Sequence, residues 1–121
     1  MNDRRELGGW GEEKAAQYLR RKGYRILDRN FSCRQGEIDI VAGKGGVVAF
    51  VEVKLRKNAD FAEAREFVTA RKQARILAAA QLWLHVHACE LQPRFDVIEI
   101  YAPEGAATSR VQIEHLENAF P

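Results

Sequence analysis

Several features are scarce in this sequence of 121 residues, and each scarcity excludes a class of protein. No apolar run approaches the length of a membrane-spanning helix, and residues 1–6 lack the apolar segment of a signal peptide. The two cysteines, Cys33 and Cys89, are too few for a disulfide framework and show no CxxC spacing. We therefore expect a cytoplasmic protein with reduced thiols and no membrane contact.

A complete set of zinc ligands is also missing. His85, His87 and Cys89 alternate along a stretch with a helical pattern, and side chains at alternate helical positions do not face each other. A structural zinc ion needs four ligands, and no fourth is evident nearby. The stretch therefore does not predict a zinc site.

Internal repeats, linkers and low-complexity segments are absent as well, while 46% of the residues are hydrophobic. That share is sufficient for a buried core in a chain of this length, which typically forms one domain. We expect residues 1–121 to form a single domain.

The charges that are present are unevenly distributed. Residues 1–75 hold 17 of the 19 Lys and Arg residues but only 11 of the 17 acidic ones, so the remaining residues carry a net negative charge. Such asymmetry is consistent with a surface that faces nucleic acid. Solvated basic helix faces would give the same pattern, and that alternative remains open.

Two neighbouring apolar runs, residues 36–42 and 47–54, dominate the middle of the chain. Both are rich in β-branched residues, and the glycine-rich residues 43–46 lie between them. This arrangement predicts a β-hairpin. Both runs also carry acidic residues, which a buried strand normally lacks.

The acidic residues of this predicted hairpin face one another. If the hairpin closes symmetrically about its glycines, Asp39 and Glu52 lie directly or diagonally opposite each other on the same side of the sheet. Two carboxylates so close repel unless a cation lies between them, and Mg²⁺ prefers oxygen ligands of this kind. Lys54 shares the face of Glu52 and could stabilise charge at a reacting atom. The pattern is typical of a metal-dependent phosphodiesterase.

Glu52 is the most informative of these residues. Residues 47–53 are apolar on both faces, which predicts a strand in the interior of a sheet covered on both sides. An unpaired charge there would cost several kcal/mol, so Glu52 must have a partner. A salt bridge from Glu52 or Asp39 to Lys54 would satisfy this requirement without any metal ion, and this alternative remains open.

A third carboxylate comes from the first predicted helix. Apolar residues recur at helical spacing over residues 3–22, and Gly23 stands where a helix C-terminus often has glycine. Glu12 lies at the edge of the apolar stripe, where it could point inward and join Asp39 and Glu52. Alternatively, Glu12 lies on the rim and is stabilised by the helix dipole.

The remaining elements complete an α/β pattern. Residues 24–31, 94–101 and 111–116 have the composition and alternation of strands, and residues 61–87 have a helical pattern in which Thr69 is a candidate N-cap. The order of elements predicts a central mixed β-sheet flanked by helices.

Basic side chains follow the acidic strands. A helix start bearing Lys and Arg near an acidic metal site could hold phosphate, and neighbouring loops add further positive charge. The candidate phosphate contacts are Arg34, Arg56, Lys57, Arg71, Lys72 and Arg75.

The order of these acidic residues and the lysine along the chain resembles the motif of the restriction-endonuclease-like (PD-(D/E)xK) nuclease superfamily. Its pattern is a Glu on the first helix, an Asp on the first acidic strand and Glu-x-Lys on the next, matched here by Glu12, Asp39, Glu52 and Lys54. Archaeal Holliday junction resolvases are similar in size and layout.

Nearly the whole chain resembles the YraN-like family of small bacterial proteins. The matching segments are Gly11-Glu12, Gly23-Tyr24, Asn30-Phe31, Gly36-Glu37-Ile38-Asp39, Phe50-Val51-Glu52-Val53-Lys54, Lys72, Arg94-Phe95-Asp96-Val97 and Asn118-Ala119-Phe120.

The resemblance implies a restriction-endonuclease-like fold and a DNA endonuclease dependent on Mg²⁺ or Mn²⁺, acting on structured or branched DNA. It implies that Glu12, Asp39, Glu52 and the carbonyl of Val53 bind the metal, and that Lys54 orients water or stabilises the phosphate. If four-way junctions are the substrate, their two-fold symmetry favours a homodimer.

Two further interpretations fit the same residues. A non-catalytic nucleic-acid-binding or scaffold module could keep the fold, and it would bind DNA without needing metal. A structural protein could use the acids in a buried ion network, so that Asp39→Asn would destabilise it.

Overall fold

The computed structural model describes residues 3–56 and 69–119, with side chains from residue 8 onward. Two helices and five strands lie in this part of the chain, together with a short 3₁₀ turn at Gly105–Ala107. In chain order the elements are α1 (Asp3–Arg21), β1 (Arg25–Ser32), β2 (Glu37–Lys44), β3 (Val47–Arg56), α2 (Ala70–Val86), β4 (Gln92–Tyr101) and β5 (Gln112–Leu116). Neither helix carries an apolar stretch of the length that a membrane span requires.

The strands form one mixed sheet in the order β1-β2-β3-β4-β5. Every neighbouring pair is antiparallel except β3 and β4, which run parallel. Parallel neighbours need a long crossover, and α2 lies between β3 and β4 in the chain. The predicted α/β fold with a central mixed sheet flanked by helices is confirmed, and it agrees with a restriction-endonuclease-like fold.

Helix α1 covers one face of the sheet. Ala15, Ala16 and Leu19 are fully buried against apolar side chains of β2, β3 and β4. The helix ends as its sequence predicts, because Gly23 adopts the left-handed φ of 94° and the amide of Tyr24 bonds the carbonyl of Leu19. This packing fixes the rotation of α1 and therefore where Glu12 points.

Helix α2 covers the opposite face. Ala79, Ala80 and Trp83 pack against buried side chains of β2 and β3, including Phe50. Strand β3 is thus covered on both sides, as its doubly apolar pattern predicts. The N-cap prediction is also confirmed, since the hydroxyl of Thr69 accepts a bond from the amide of Lys72. Residues 61–68 of the predicted helical stretch lie outside the described residues.

The hairpin forms with a tighter turn than the sequence suggested. Strand β2 continues through Lys44, so only Gly45 and Gly46 connect the strands, and Gly45 has a φ of 59°. Two-residue hairpin turns need such a positive φ, which glycine adopts without strain. The register is nevertheless symmetric, because Lys44 pairs with Val47 and Ile40 pairs with Val51.

A buried acid joins the last two strands of the sheet. Asp96 on β4 is fully buried and binds the guanidinium of Arg94, with its Oδ1 2.9 Å from Nε and its Oδ2 2.8 Å from Nη2. The ring of His115 and the backbone N–H of Asn118 also bond its carboxylate. This network ties β4 to β5 and has all the partners that a buried charge requires.

Candidate functional site

The pairing of β2 with β3 stops one residue short of the acidic pair. Ile40 and Val51 are the last partners, and Asp39 comes next on β2. The Oδ2 atom of Asp39 accepts a hydrogen bond from the backbone N–H of Val53 at 2.8 Å. A carboxylate thus replaces a strand partner at this point and is held beside β3.

Glu52 lies next to this bond and is held by two lysines. Its Oε1 atom is 2.7 Å from Nζ of Lys72 on α2 and 3.4 Å from Nζ of Lys54 on its own strand. Only 13% of the Glu52 side chain is exposed. The Glu52–Lys54 salt bridge that the sequence left open is therefore present, but the shorter contact comes from the other side of the cleft.

Glu12 projects from α1 into a largely buried position. Its side chain is 14% exposed, and Nε of Arg29 lies 3.7 Å from its Oε1 atom. That oxygen is buried and has no hydrogen-bond partner within the described part of the chain. Burial raises the pKa of Glu12 despite the opposing effect of Arg29. The inward placement of Glu12, rather than the rim placement, is the one observed.

These carboxylates act on one another electrostatically. Burial and, next in size, the negative charge of Glu52 raise the pKa of Asp39 to about 7; the bond from Val53 opposes this rise, and Glu12 and Glu37 add smaller contributions to it. Perturbed pKa values of this kind cluster at functional sites.

The acids line one wall of a cleft of about 590 Å³. Asp39, Glu52 and Glu37 contribute carboxylates to it, whereas Glu12 and Lys54 are not among its lining residues. The other lining residues come from the end of β1, the loop after it and the start of α2: Ser32, Cys33, Gly36, Thr69, Arg71, Lys72, Arg75 and Ile76. An acidic wall therefore faces a basic one.

The two walls are held together by a close contact at Gly36. A Cβ atom there would lie 3.1 Å from the backbone oxygen of Arg75 and 3.2 Å from its Cβ. Nε of Arg75 donates in turn to the carbonyl of Gln35. The loop before β2 thus packs directly on α2, which fixes the distance between the acids and the first turn of the helix.

The predicted phosphate contacts fall into three groups. Arg71, Lys72 and Arg75 line the cleft, and Arg34 is exposed on the adjoining loop. Arg56 instead lies with its Nε 3.7 Å from Oε2 of the buried Glu99, so its charge is already engaged. Lys57 lies outside the described residues.

The oxygen atoms of the site suit a hard divalent cation. Within residues 3–56 and 69–119, no three His, Cys, Asp or Glu side chains form a ready-made metal cluster. Mg²⁺, however, typically takes only one or two carboxylates and completes its shell with water and substrate phosphate. Asp39 and Glu52 supply the carboxylates, and the buried Oε1 atom of Glu12 accepts no hydrogen bond from the residues that the structure describes. The donor set therefore fits Mg²⁺ or Mn²⁺.

Val53 fits the same group through its backbone. Its N–H points toward Asp39, and a strand residue directs its N–H and C=O toward the same neighbouring strand. The carbonyl that the resemblance assigns to the metal therefore lies on the Asp39 side of β3.

Sequence reasoning missed two partners of the acids. Lys72 was predicted as a phosphate contact, and its contact with Glu52 was not foreseen. Arg29 was not singled out, although it lies beside Glu12 and binds Glu13 at 2.7 Å. Both pairs join residues on different elements, so no local spacing reveals them. The only signal was the position of Lys72 in the first turn after Thr69.

Comparison with known proteins gives the family. A model of the uncharacterised protein family UPF0102 matches residues 11–100 of this chain. A UPF0102 protein of Syntrophomonas wolfei is 46% identical over 96% of this chain and 98% of the relative. One from Caldanaerobacter subterraneus is 42% identical over 98% and 97%, and one from Frankia casuarinae is 43% identical over 99% and 100%.

The chain therefore belongs to the UPF0102 family, and its resemblance to the YraN-like proteins is confirmed. The names of these relatives state the family and no activity.

Proposed function

We propose that this member of the UPF0102 family is a nuclease dependent on Mg²⁺ or Mn²⁺, which hydrolyses phosphodiester bonds in structured or branched DNA. The observation that carries the proposal is the Asp39 carboxylate, fixed on β3 by Val53 beside Glu52, with its pKa raised to about 7. It lies in a cleft whose other wall bears Arg71, Lys72 and Arg75.

Each acidic residue has a role in holding the cation. Asp39, Glu52 and the carbonyl of Val53 would bind it, and Glu12 would join them directly or through water. When bound, the metal supplies an activated water molecule and neutralises charge that develops on the phosphate. The close carboxylates then gain the cation that their mutual repulsion calls for.

Lys54, beside Glu52, would act on the attacking water or on the phosphate. Its Nζ lies 3.4 Å from Glu52, and burial lowers its pKa, an effect that the charge of Lys72 reinforces. Lys54 would orient the attacking water or stabilise the negative phosphate oxygens.

The basic wall would bind the DNA backbone. Arg71 and Arg75 would contact phosphates, an interaction that favours DNA shape over base sequence. A cleft that reads shape suits branched DNA, and a two-fold symmetric junction would be cut by a homodimer.

A non-catalytic DNA-binding module is the second candidate. The observation that favours it is the pairing of Glu52 with two lysines, which satisfies the acid without a metal ion. In that case DNA binding would depend on salt and not on Mg²⁺.

Cleavage assays separate the two functions. The substrates are four-way junction, flap, single-stranded and duplex DNA, each in Mg²⁺, Mn²⁺ and EDTA. A nuclease cuts at least one of them only with metal, and Asp39→Asn abolishes the cutting while circular dichroism shows an intact fold. Cleavage retained by the variant would refute the site, and binding without cleavage by either protein would favour the module.

A further inference from the structure

Lys72 is the residue whose position the proposed function does not yet explain. A lysine that only contacts DNA would lie with its ammonium group in solvent, facing the approaching phosphates. Here Nζ of Lys72 crosses the cleft and contacts Oε1 of Glu52 at 2.7 Å, the shorter of the two lysine contacts to that carboxylate. The ammonium group of Lys72 thus occupies a carboxylate oxygen that the proposed metal site requires.

The ammonium group can leave this position without disturbing the fold. The amide of Lys72 is held by the hydroxyl of Thr69 at 3.1 Å, so the backbone is fixed by the N-cap. Its side chain is 39% exposed and lines the cleft, whereas that of Lys54 is 20% exposed and does not. Four flexible carbons therefore let the Lys72 charge move while its backbone stays in place.

We infer that Lys72 is an internal counterion, which holds Glu52 in the metal-free protein and competes with the divalent cation for that carboxylate. The inference rests on the proposed metal site. Metal binding then releases the ammonium group into the cleft, where a substrate phosphate is its natural partner. Lys72 would thereby link occupancy of the metal site to the charge offered to DNA.

This role predicts an effect opposite to that of an ordinary structural ion pair. Removing the Lys72 charge leaves Glu52 and Asp39 less neutralised, so a divalent cation should bind more tightly. A lysine that merely stabilised the fold would give weaker binding when removed, because the site would lose its shape. A lysine that only bound phosphate would leave metal affinity unchanged.

Arg71 provides a matched control. It lies beside Lys72 in the first turn of α2 and lines the same cleft, but within the described residues no ion pair joins it to Glu52. Arg71→Met removes one positive charge from the same wall without freeing a metal ligand. Lys72→Arg keeps the charge and should keep the competition.

Mn²⁺ affinity tests the inference directly. Free Mn²⁺ is followed by electron paramagnetic resonance during titration of the wild type, Lys72→Met, Arg71→Met and Lys72→Arg, with no DNA present. We expect Lys72→Met to bind Mn²⁺ roughly tenfold more tightly, and the two other variants to change by less than about twofold. Circular dichroism of each variant checks that the fold is retained.

The outcomes distinguish this inference from the proposed function. Equal Mn²⁺ affinity in the wild type and Lys72→Met, or weaker binding in the variant, would overturn the competition while leaving the metal site in place. Equal tightening by Arg71→Met would reduce the effect to general electrostatics and overturn it as well. If neither the wild type nor Lys72→Met binds Mn²⁺, both the competition and the proposed metal-dependent activity are wrong.

Discussion

At the scale of single residues, the protonation of Asp39 makes the free energy of unfolding depend on pH. Its pKa is raised from an ordinary 3.8 to about 7 by burial and by the neighbouring acids. The folded protein therefore holds a proton on Asp39 at pH values where the unfolded chain does not. The stability that this proton contributes is fully present below about pH 3.8 and is lost as the pH rises through about 7.

Asp39→Asn should therefore stabilise the metal-free protein at alkaline pH. We expect urea unfolding in EDTA to show a gain of about 2 kcal/mol near pH 8, which shrinks toward zero near pH 4.5. The gain arises because the neutral amide avoids the cost of burying a charge and, in addition, is not repelled by Glu52 and Glu12.

The opposite result would identify a structural role. If Asp39→Asn lowers the free energy of unfolding at both pH values, the acids form a stabilising ion network. In that case the acids contribute to stability, and the site shows no trade-off between stability and activity.

At the scale of elements, the close contact between Gly36 and α2 controls the width of the cleft. Gly36→Ala places a methyl group 3.1 Å from the backbone oxygen of Arg75, and a helix backbone yields less easily than a side chain. We expect a loss of about 1–2 kcal/mol in the free energy of unfolding, measured by urea titration.

Gly46→Ala is the matched control for this substitution. Gly36 directly precedes β2 and Gly46 lies in the turn that follows it, but a Cβ atom at Gly46 would meet nothing within 4 Å. Its free energy of unfolding should change by less than about 0.5 kcal/mol. Equal stability of the two variants would show that α2 does not rest on Gly36 as tightly as the contact indicates.

The elements themselves were largely predictable because their signals are local. Apolar residues on both faces of β3 predicted a central strand, and Thr69 predicted the start of α2. The symmetric closure assumed for the hairpin is the register observed, although the turn is shorter than expected because Gly43 and Lys44 continue β2. Each of these features depends on neighbours within a few positions along the chain.

The partners of the site residues were less predictable. The alternation of β2 and β3 was enough to place Asp39 beside Glu52, but nothing local indicated that Lys72 reaches Glu52 across the cleft. That contact depends on how α2 returns over the sheet and on the packing of Gly36 against Arg75. The same holds for Arg56, which a basic loop sequence suggested for DNA and which the fold pairs with buried Glu99.

At the scale of the whole molecule, charge is separated along the chain. The first 75 residues hold most of the basic side chains, and the rest is net acidic. Arg71 and Arg75 belong to the basic part and line the cleft, whereas Arg110 is exposed in the acidic part. The proposed DNA interface should therefore follow this division.

The dependence of DNA affinity on salt measures that interface. A protein that contacts several phosphates binds DNA more weakly as the salt concentration rises. Each phosphate contact removed reduces the slope of log affinity against log salt concentration by about one. We expect this reduction for Arg71→Met and for Arg75→Met, in fluorescence anisotropy with EDTA present. Arg110→Met should leave the slope unchanged, and an equal reduction in all three would place the DNA elsewhere.

The bond from Val53 to Asp39 has a consequence for observing the site. The amide proton of Val53 bonds a side-chain carboxylate whose charge varies, whereas its neighbours in the sheet bond peptide carbonyls whose charge is constant. A proton or a cation on Asp39 alters the field at that amide while the backbone stays where it is. The amide resonance of Val53, followed in a two-dimensional NMR spectrum of the intact protein, therefore reports whether Asp39 carries a proton or a cation.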